Sequence, residues 1–108
     1  MTSLPSFYSE FREARPEVVR AYETLGDAAR AAGPLAAKQI ELIKLALAAG
    51  ARLEGAVHSH ARRALEAGAT AEELRHVPPL AITTLGFPAA MAIRALIEDV
   101  LAPATPRG

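Results

Sequence analysis

Two histidines and a glutamate lie within seven residues of this chain, in the segment Glu54-Gly55-Ala56-Val57-His58-Ser59-His60. Imidazole gains and loses a proton near neutral pH, and a carboxylate can orient it, so these residue types suit acid–base chemistry on a small molecule. The segment begins a helical pattern that runs to Ala67 and stops at Gly68. Because side chains on one helix face are three or four residues apart, the two histidines point in different directions.

His60 shares its predicted helix face with apolar residues, at Leu53, Ala56, Val57 and Ala64. A histidine that faces inward needs a hydrogen-bond partner, and the best candidate is Glu41 on the preceding helical segment. Two plainer interpretations stay open. In the first, His60 is a satisfied core residue. In the second, Glu41 forms a surface or intrahelical ion pair with Lys38 or Lys44, three residues to either side of it.

His58 and Glu54 are four residues apart and therefore neighbours on one face. They form either a solvated polar face that continues to Arg62, or a second acid–base pair or ligand anchor at a subunit boundary. His58 and His60 are about 200° apart around a helix and cannot bind the same ion. His76 would have to fold across to complete three protein ligands. We therefore expect no metal and no other cofactor.

Several further residues could contact a substrate. Four arginines (Arg52, Arg62, Arg63 and Arg94) could bind a carboxylate in bidentate fashion. Arginine is the usual basic residue of this chain, ten against two lysines, which lowers the information in any one of them. Phe87 and Pro88 could line a pocket or could simply pack.

Composition excludes several classes of function. The 108 residues include twelve basic and twelve acidic side chains without a basic run, so we expect no nucleic-acid binding. The chain has no cysteine, which excludes thiol nucleophiles, disulfides and thiolate metal sites. The longest apolar run, from Leu45 to Ala51, is far below the roughly 20 residues of a membrane span. We expect a cytoplasmic protein that does not bind membranes.

Proline and glycine divide the chain into helical segments, and no segment alternates as a strand would. Val18, Val19, Tyr22 and Leu25 are predicted to face inward on the second helix, and the third helix is predicted to be mostly buried. Thr70 and Glu73 predict a capping box, and Val77 before Pro78 predicts a break. The predicted helices are 5–12, 16–32, 34–50, 53–67, a helix from 71, one ending at Thr84, and one from Pro88 to about Leu101.

These motifs resemble those of a known family. A Glu, a Cys-x-x-Cys twelve residues later and a His four residues after the second Cys are the site pattern of the alkylhydroperoxidase D proteins, in the carboxymuconolactone decarboxylase superfamily. In this chain the pattern places its Glu at Glu41, its cysteines at Leu53 and Ala56, and its His at His60. The segments 65–74 and 85–90 are also similar, the second to the decarboxylase branch. The resemblance is strongest over residues 36–100.

The resemblance implies an all-α bundle of about six helices. We expect it to form one domain over residues 1–108, with a frayed tail at 103–108, and to assemble as a trimer or hexamer. The family's proton relay implies that His60 and Glu41 are catalytic, with His58, Glu54, Phe87 and Pro88 around a small-molecule ligand. Without cysteines, a dithiol peroxidase is excluded. Acid–base chemistry on a small carboxylate or lactone, a non-catalytic ligand-binding oligomer and a structural subunit remain as alternatives.

Overall fold

The structure, a computed structural model, describes residues 4–102, and these residues form helices without any strand. The prediction of an all-α fold is confirmed. The predicted frayed tail, Pro103 to Gly108, lies outside the described residues. The helices are α1 (Leu4–Ala14), α2 (Pro16–Ala31), α3 (Ala37–Gly50), α4 (Glu54–Glu66), α5 (Ala71–Arg75), α6 (Val77–Leu85) and α7 (Phe87–Leu101). No helix in this part of the chain is long and apolar enough to cross a membrane.

The chain contains two compact units, Met1–Leu35 and Ala36–Gly108. The expectation of one domain over residues 1–108 stays a prediction. In the first unit, α2 begins at Pro16, where a missing N–H costs no helical hydrogen bond. Glu23 of α2 accepts hydrogen bonds from Tyr8 and Arg12 of α1 and so ties the two helices together.

The prediction of an inward face on α2 is largely wrong. Val19 is buried, whereas Val18, Tyr22 and Leu25 are exposed. Two helices of 11 and 16 residues give one another too little surface to cover four large apolar side chains.

The second unit is built around the antiparallel hairpin of α3 and α4. The prediction that α3 begins at Pro34 is wrong, because Ala36 is extended (ψ 162°) and the helix starts after it. The Ala36 N–H donates to the Gln39 side chain at 2.9 Å, which fixes this start. The prediction of a mostly buried α3 is also wrong in part, since Leu45 is fully buried but Ile43 and Leu47 are exposed.

The same hydrogen-bond motif ends both helices of the hairpin. After α3, Leu53 N–H donates to Ala48 O and Arg52 N–H to Ala49 O; after α4, Ala69 N–H donates to Ala64 O and Gly68 N–H to Leu65 O. This is the Schellman pattern, which puts one residue in the left-handed region. That residue is Gly68 (φ 103°) after α4 but Arg52 (φ 61°) after α3. The α3–α4 turn therefore has backbone strain that the turn after α4 avoids.

Within the second unit, α5 and α7 pack against α4 of this hairpin, and α6 packs against α5 and α7. Thr70 and Glu73 form the predicted capping box, with Glu73 N–H to Thr70 Oγ1 at 3.0 Å and Thr70 N–H to Glu73 Oε1 at 2.9 Å. The helical path breaks at His76, one residue before the predicted position. Gly86, at φ 102°, separates α6 from α7. The core of the second unit contains Leu45, Ala48, Ala49, Val57, Ala61, Ala64, Ala69, Leu74, Ala81, Ala90, Ile93 and Ile97.

Candidate functional site

Glu41 of α3 and His60 of α4 form a hydrogen bond across the hairpin. His60 Nδ1 lies 2.8 Å from Glu41 Oε1. The Glu41 side chain is 6% exposed and the His60 side chain 17%. Among the described residues, Glu41 is the only charged residue that is buried. The predicted approach of these two side chains is thus confirmed, and a buried carboxylate orients a partly accessible imidazole.

This geometry assigns different tasks to the two ring nitrogens of His60. With Glu41 ionised, Nδ1–H donates to the carboxylate, as a hydrogen bond of this kind fixes the tautomer. No described residue is hydrogen-bonded to Nε2. Nε2 is therefore the nitrogen through which His60 can exchange a proton with a ligand.

The interpretation of Glu41 as a surface residue is wrong. Glu41 is buried, and Lys38 Nζ instead contacts Glu73 Oε2 on α5 at 3.1 Å. Glu73 also accepts the Thr70 N–H. That backbone hydrogen bond, followed by the one from Lys38, holds the pKa of Glu73 below its usual range.

His58 has a partner that sequence patterns did not indicate. Its Nε2 lies 3.0 Å from Asp99 Oδ2 in the last turn of α7. The predicted pairing with Glu54 is not what the structure shows, because Glu54 is exposed in the first turn of α4 and His58 faces α7. Asp99 is 41 residues away and belongs to no motif, so only the packing of α4 on α7 brings it here.

Phe87 and Pro88 are exposed at the start of α7. A Cβ placed on Gly50 would lie 3.8 Å from Leu85 Cδ1, so the end of α6 contacts the end of α3. Glu54, Phe87 and Pro88 as ligand-binding residues stay predictions. The arginines considered above as carboxylate ligands (Arg52, Arg62, Arg63 and Arg94) are all exposed.

No three histidine or carboxylate side chains in the described part of the chain come together as metal ligands would. The two histidine–carboxylate pairs use opposite sides of α4, so each histidine has its own acceptor. The arrangement suits proton transfer at His60.

A model of the carboxymuconolactone decarboxylase family matches residues 16–99. The chain belongs to this family. A crystal structure of the apo form of a carboxymuconolactone decarboxylase family protein from Legionella pneumophila is similar, with a TM-score of 0.80 and 28% identity over 91% of this chain and 88% of that chain. No curated protein matches the sequence significantly.

This family member lacks both cysteines of the redox pattern. Leu53, which stands at the first cysteine position, is exposed before α4, and Ala56, at the second, is half-buried in its first turn. The glutamate and the histidine of that pattern are present and in contact. The site therefore keeps the glutamate–histidine contact of the pattern without its two thiols.

Proposed function

We propose that this carboxymuconolactone decarboxylase family protein performs acid–base chemistry on a small carboxylate or lactone, with His60 as the catalytic acid and base. The observation that supports this most is the 2.8 Å hydrogen bond from His60 Nδ1 to the buried Glu41. Carboxylate-oriented imidazoles of this kind transfer protons efficiently near neutral pH. Glu41 acts through the histidine, by fixing the orientation and the tautomer of its ring.

In decarboxylation, the carbon–carbon bond to the carboxylate breaks and CO₂ leaves. The electron pair of that bond moves into a conjugated carbonyl and gives an enolate. Protonated His60 then donates its Nε2 proton to the enolate carbon and returns to neutral imidazole, and water restores its proton. Ala56, which is half-buried one helical turn before His60, favours this reaction because it places an apolar side chain beside the imidazole, and charges interact more strongly where water is scarce.

Proton transfer can be measured without knowing the natural substrate. The protein is incubated in D₂O with a panel of lactone carboxylates and oxo acids, and ¹H NMR follows loss of CO₂ and deuterium entry beside the carbonyl. We expect His60→Ala to lower the rate by about 100-fold or more, because a positioned acid or base contributes about that much. Glu41→Gln should lower it less, since the imidazole remains.

His76→Ala is the matched control, because His76 is an exposed histidine between α5 and α6. It should react like the wild type. Turnover that survives His60→Ala would disprove the proposal. If the wild type binds members of the panel and transforms none, the non-catalytic ligand-binding function applies instead.

We also propose that the protein assembles as a homotrimer or homohexamer. Exposed apolar side chains support this, because apolar surface that one chain leaves uncovered can become buried between chains. In the second unit they are Ile43, Leu47, Leu53, Leu80, Ile82, Leu85, Phe87 and Met91. Sedimentation velocity at micromolar concentration should give three or six chain masses, and Leu47→Glu should give a smaller species. A stable wild-type monomer would contradict the assembly.

A further inference from the structure

The hairpin of α3 and α4 has two edges, and the ion pairs show which one the later helices cover. Lys38 of α3 contacts Glu73 of α5, and His58 of α4 contacts Asp99 of α7. Arg75 of α5 in turn donates to Glu98 of α7 at 2.9 and 3.2 Å. Because α5 and α7 are joined to each other in this way, they cover the same edge of the hairpin.

Helical geometry places Lys44 on the opposite edge of α3 and directs His60 to the side of α4 away from α7. On α3, Lys38 and Lys44 are three residues before and after Glu41, which rotates them about 60° to either side of it. Since Lys38 marks the α5 edge, Lys44 marks the other. On α4, His60 is about 200° from His58, which marks the α7 edge.

Along the helix axes, Lys44 is also close to the level of the Glu41–His60 contact. It is three residues from Glu41, or about 4.5 Å along the axis toward the α3–α4 turn. On the antiparallel α4, the same distance of about 4.5 Å from His60 leads to Val57, the residue after Ala56. Lys44 is therefore within one residue of the level of Ala56, where the redox pattern has its second cysteine.

Lys44 differs from Lys38 in its electrostatic contacts within the described fold. The side chain is half-buried, and no described residue forms an ion pair or hydrogen bond with its ammonium group. The other lysine, Lys38, is paired with Glu73. Burial of the aliphatic stem restricts the positions at which the ammonium group can meet an anion.

We propose that Lys44 binds the carboxylate of the substrate and so sets the specificity of the site for anionic small molecules. This inference rests on the proposed function of His60. The carboxylate lies at Lys44, beside Ala56, and the carbon that exchanges a proton lies at His60 Nε2. Lys44 is thus a specificity-determining residue, separate from the Glu41–His60 relay.

A matched pair of probes isolates the carboxylate. One is γ-butyrolactone-γ-carboxylate and the other its neutral methyl ester, and isothermal titration measures the binding of each. We expect the wild type to prefer the acid by about tenfold or more, as hydrogen bonds between charged groups imply. Lys44→Met should abolish this preference, and Lys44→Arg should retain it.

Lys38→Met is the control, because it removes the same charge from the other edge of the same helix. It should leave the preference unchanged, and circular dichroism should show that both methionine variants fold. The inference is overturned if the wild type binds neither probe or does not prefer the acid. It is also overturned if Lys44→Met keeps the preference, or if Lys38→Met removes it equally.

Failure of this inference differs from failure of the proposed function. If turnover depends on His60 while the acid preference does not depend on Lys44, the anchor alone is wrong. If Lys44 controls the preference while His60→Ala changes no turnover, Lys44 binds an anion and the catalytic proposal is wrong.

Discussion

Two histidine–carboxylate pairs lie on opposite sides of α4 and differ mainly in their exposure to water. The inner pair, His60–Glu41, has a distance of 2.8 Å, and the outer pair, His58–Asp99, a distance of 3.0 Å. The Glu41 side chain is 6% exposed and the Asp99 side chain 49%. Water screens the outer pair, so nearly equal distances correspond to unequal energies. Burial therefore distinguishes the two pairs more clearly than distance does.

The largest expected effect compares His60→Ala with His58→Ala. His60→Ala should lower the free energy of unfolding by about 1–3 kcal/mol, because a hydrogen bond to a buried carboxylate is lost. His58→Ala should cost less than about 1 kcal/mol, as exposed pairs do. Urea unfolding followed by circular dichroism measures both. Equal losses would show that exposure does not separate the two pairs.

The next largest expected change in stability concerns the turns that follow α3 and α4. Gly68→Ala should cost about 1 kcal/mol, because alanine disfavours a positive φ. Arg52→Gly should stabilise the protein by a similar amount, since it relieves the same strain in the turn that brings α4 back along α3. Differential scanning calorimetry tests both. If Arg52→Gly destabilises the protein, the arginine side chain makes a contribution larger than the strain of its backbone.

Much of the inner site could be predicted from the sequence. The helical periods placed Glu41 and His60 on facing helices joined by a tight turn, and the structure confirms their contact. The capping box at Thr70 was also predictable, because both of its partners are three residues apart. Local patterns of this kind need no knowledge of how distant helices pack.

The outer pair and the exposed faces could not be predicted in the same way. His58 is predicted to lie near Glu54, but its partner is Asp99 of α7, which is 41 residues further along the chain. Ile43 and Leu47 were expected inside because they are apolar, yet they are exposed in the single chain. Periodicity identifies a face and leaves open which distant element covers it. The start of α3 was missed because the extended Ala36, rather than Pro34, sets it.

The smallest expected effect concerns the ion pairs that join α5 to its neighbours, which are as exposed to water as the outer pair. The hydrogen bond from Arg75 holds the pKa of Glu98 below its usual range, and the bonds from Thr70 and Lys38 do the same for Glu73. A lowered folded-state pKa contributes stability that is present above the unfolded pKa and is lost as pH falls through the folded one. Thermal stability should therefore decline slightly as pH falls below about 4.5.

Glu98→Gln isolates this contribution. The variant should melt below the wild type at neutral pH, and the difference should shrink as acid protonates Glu98 of the wild type and weakens its pairing with Arg75. Glu66→Gln, at an exposed glutamate at the end of α4, is the control and should show no such convergence. If the gap between Glu98→Gln and the wild type stays constant down to pH values well below the glutamate range, the Arg75–Glu98 bridge does not depend on the charge of Glu98. The bridge would then join α5 to α7 through hydrogen-bond geometry alone, and exposure to water would not explain the weakness of the outer contacts.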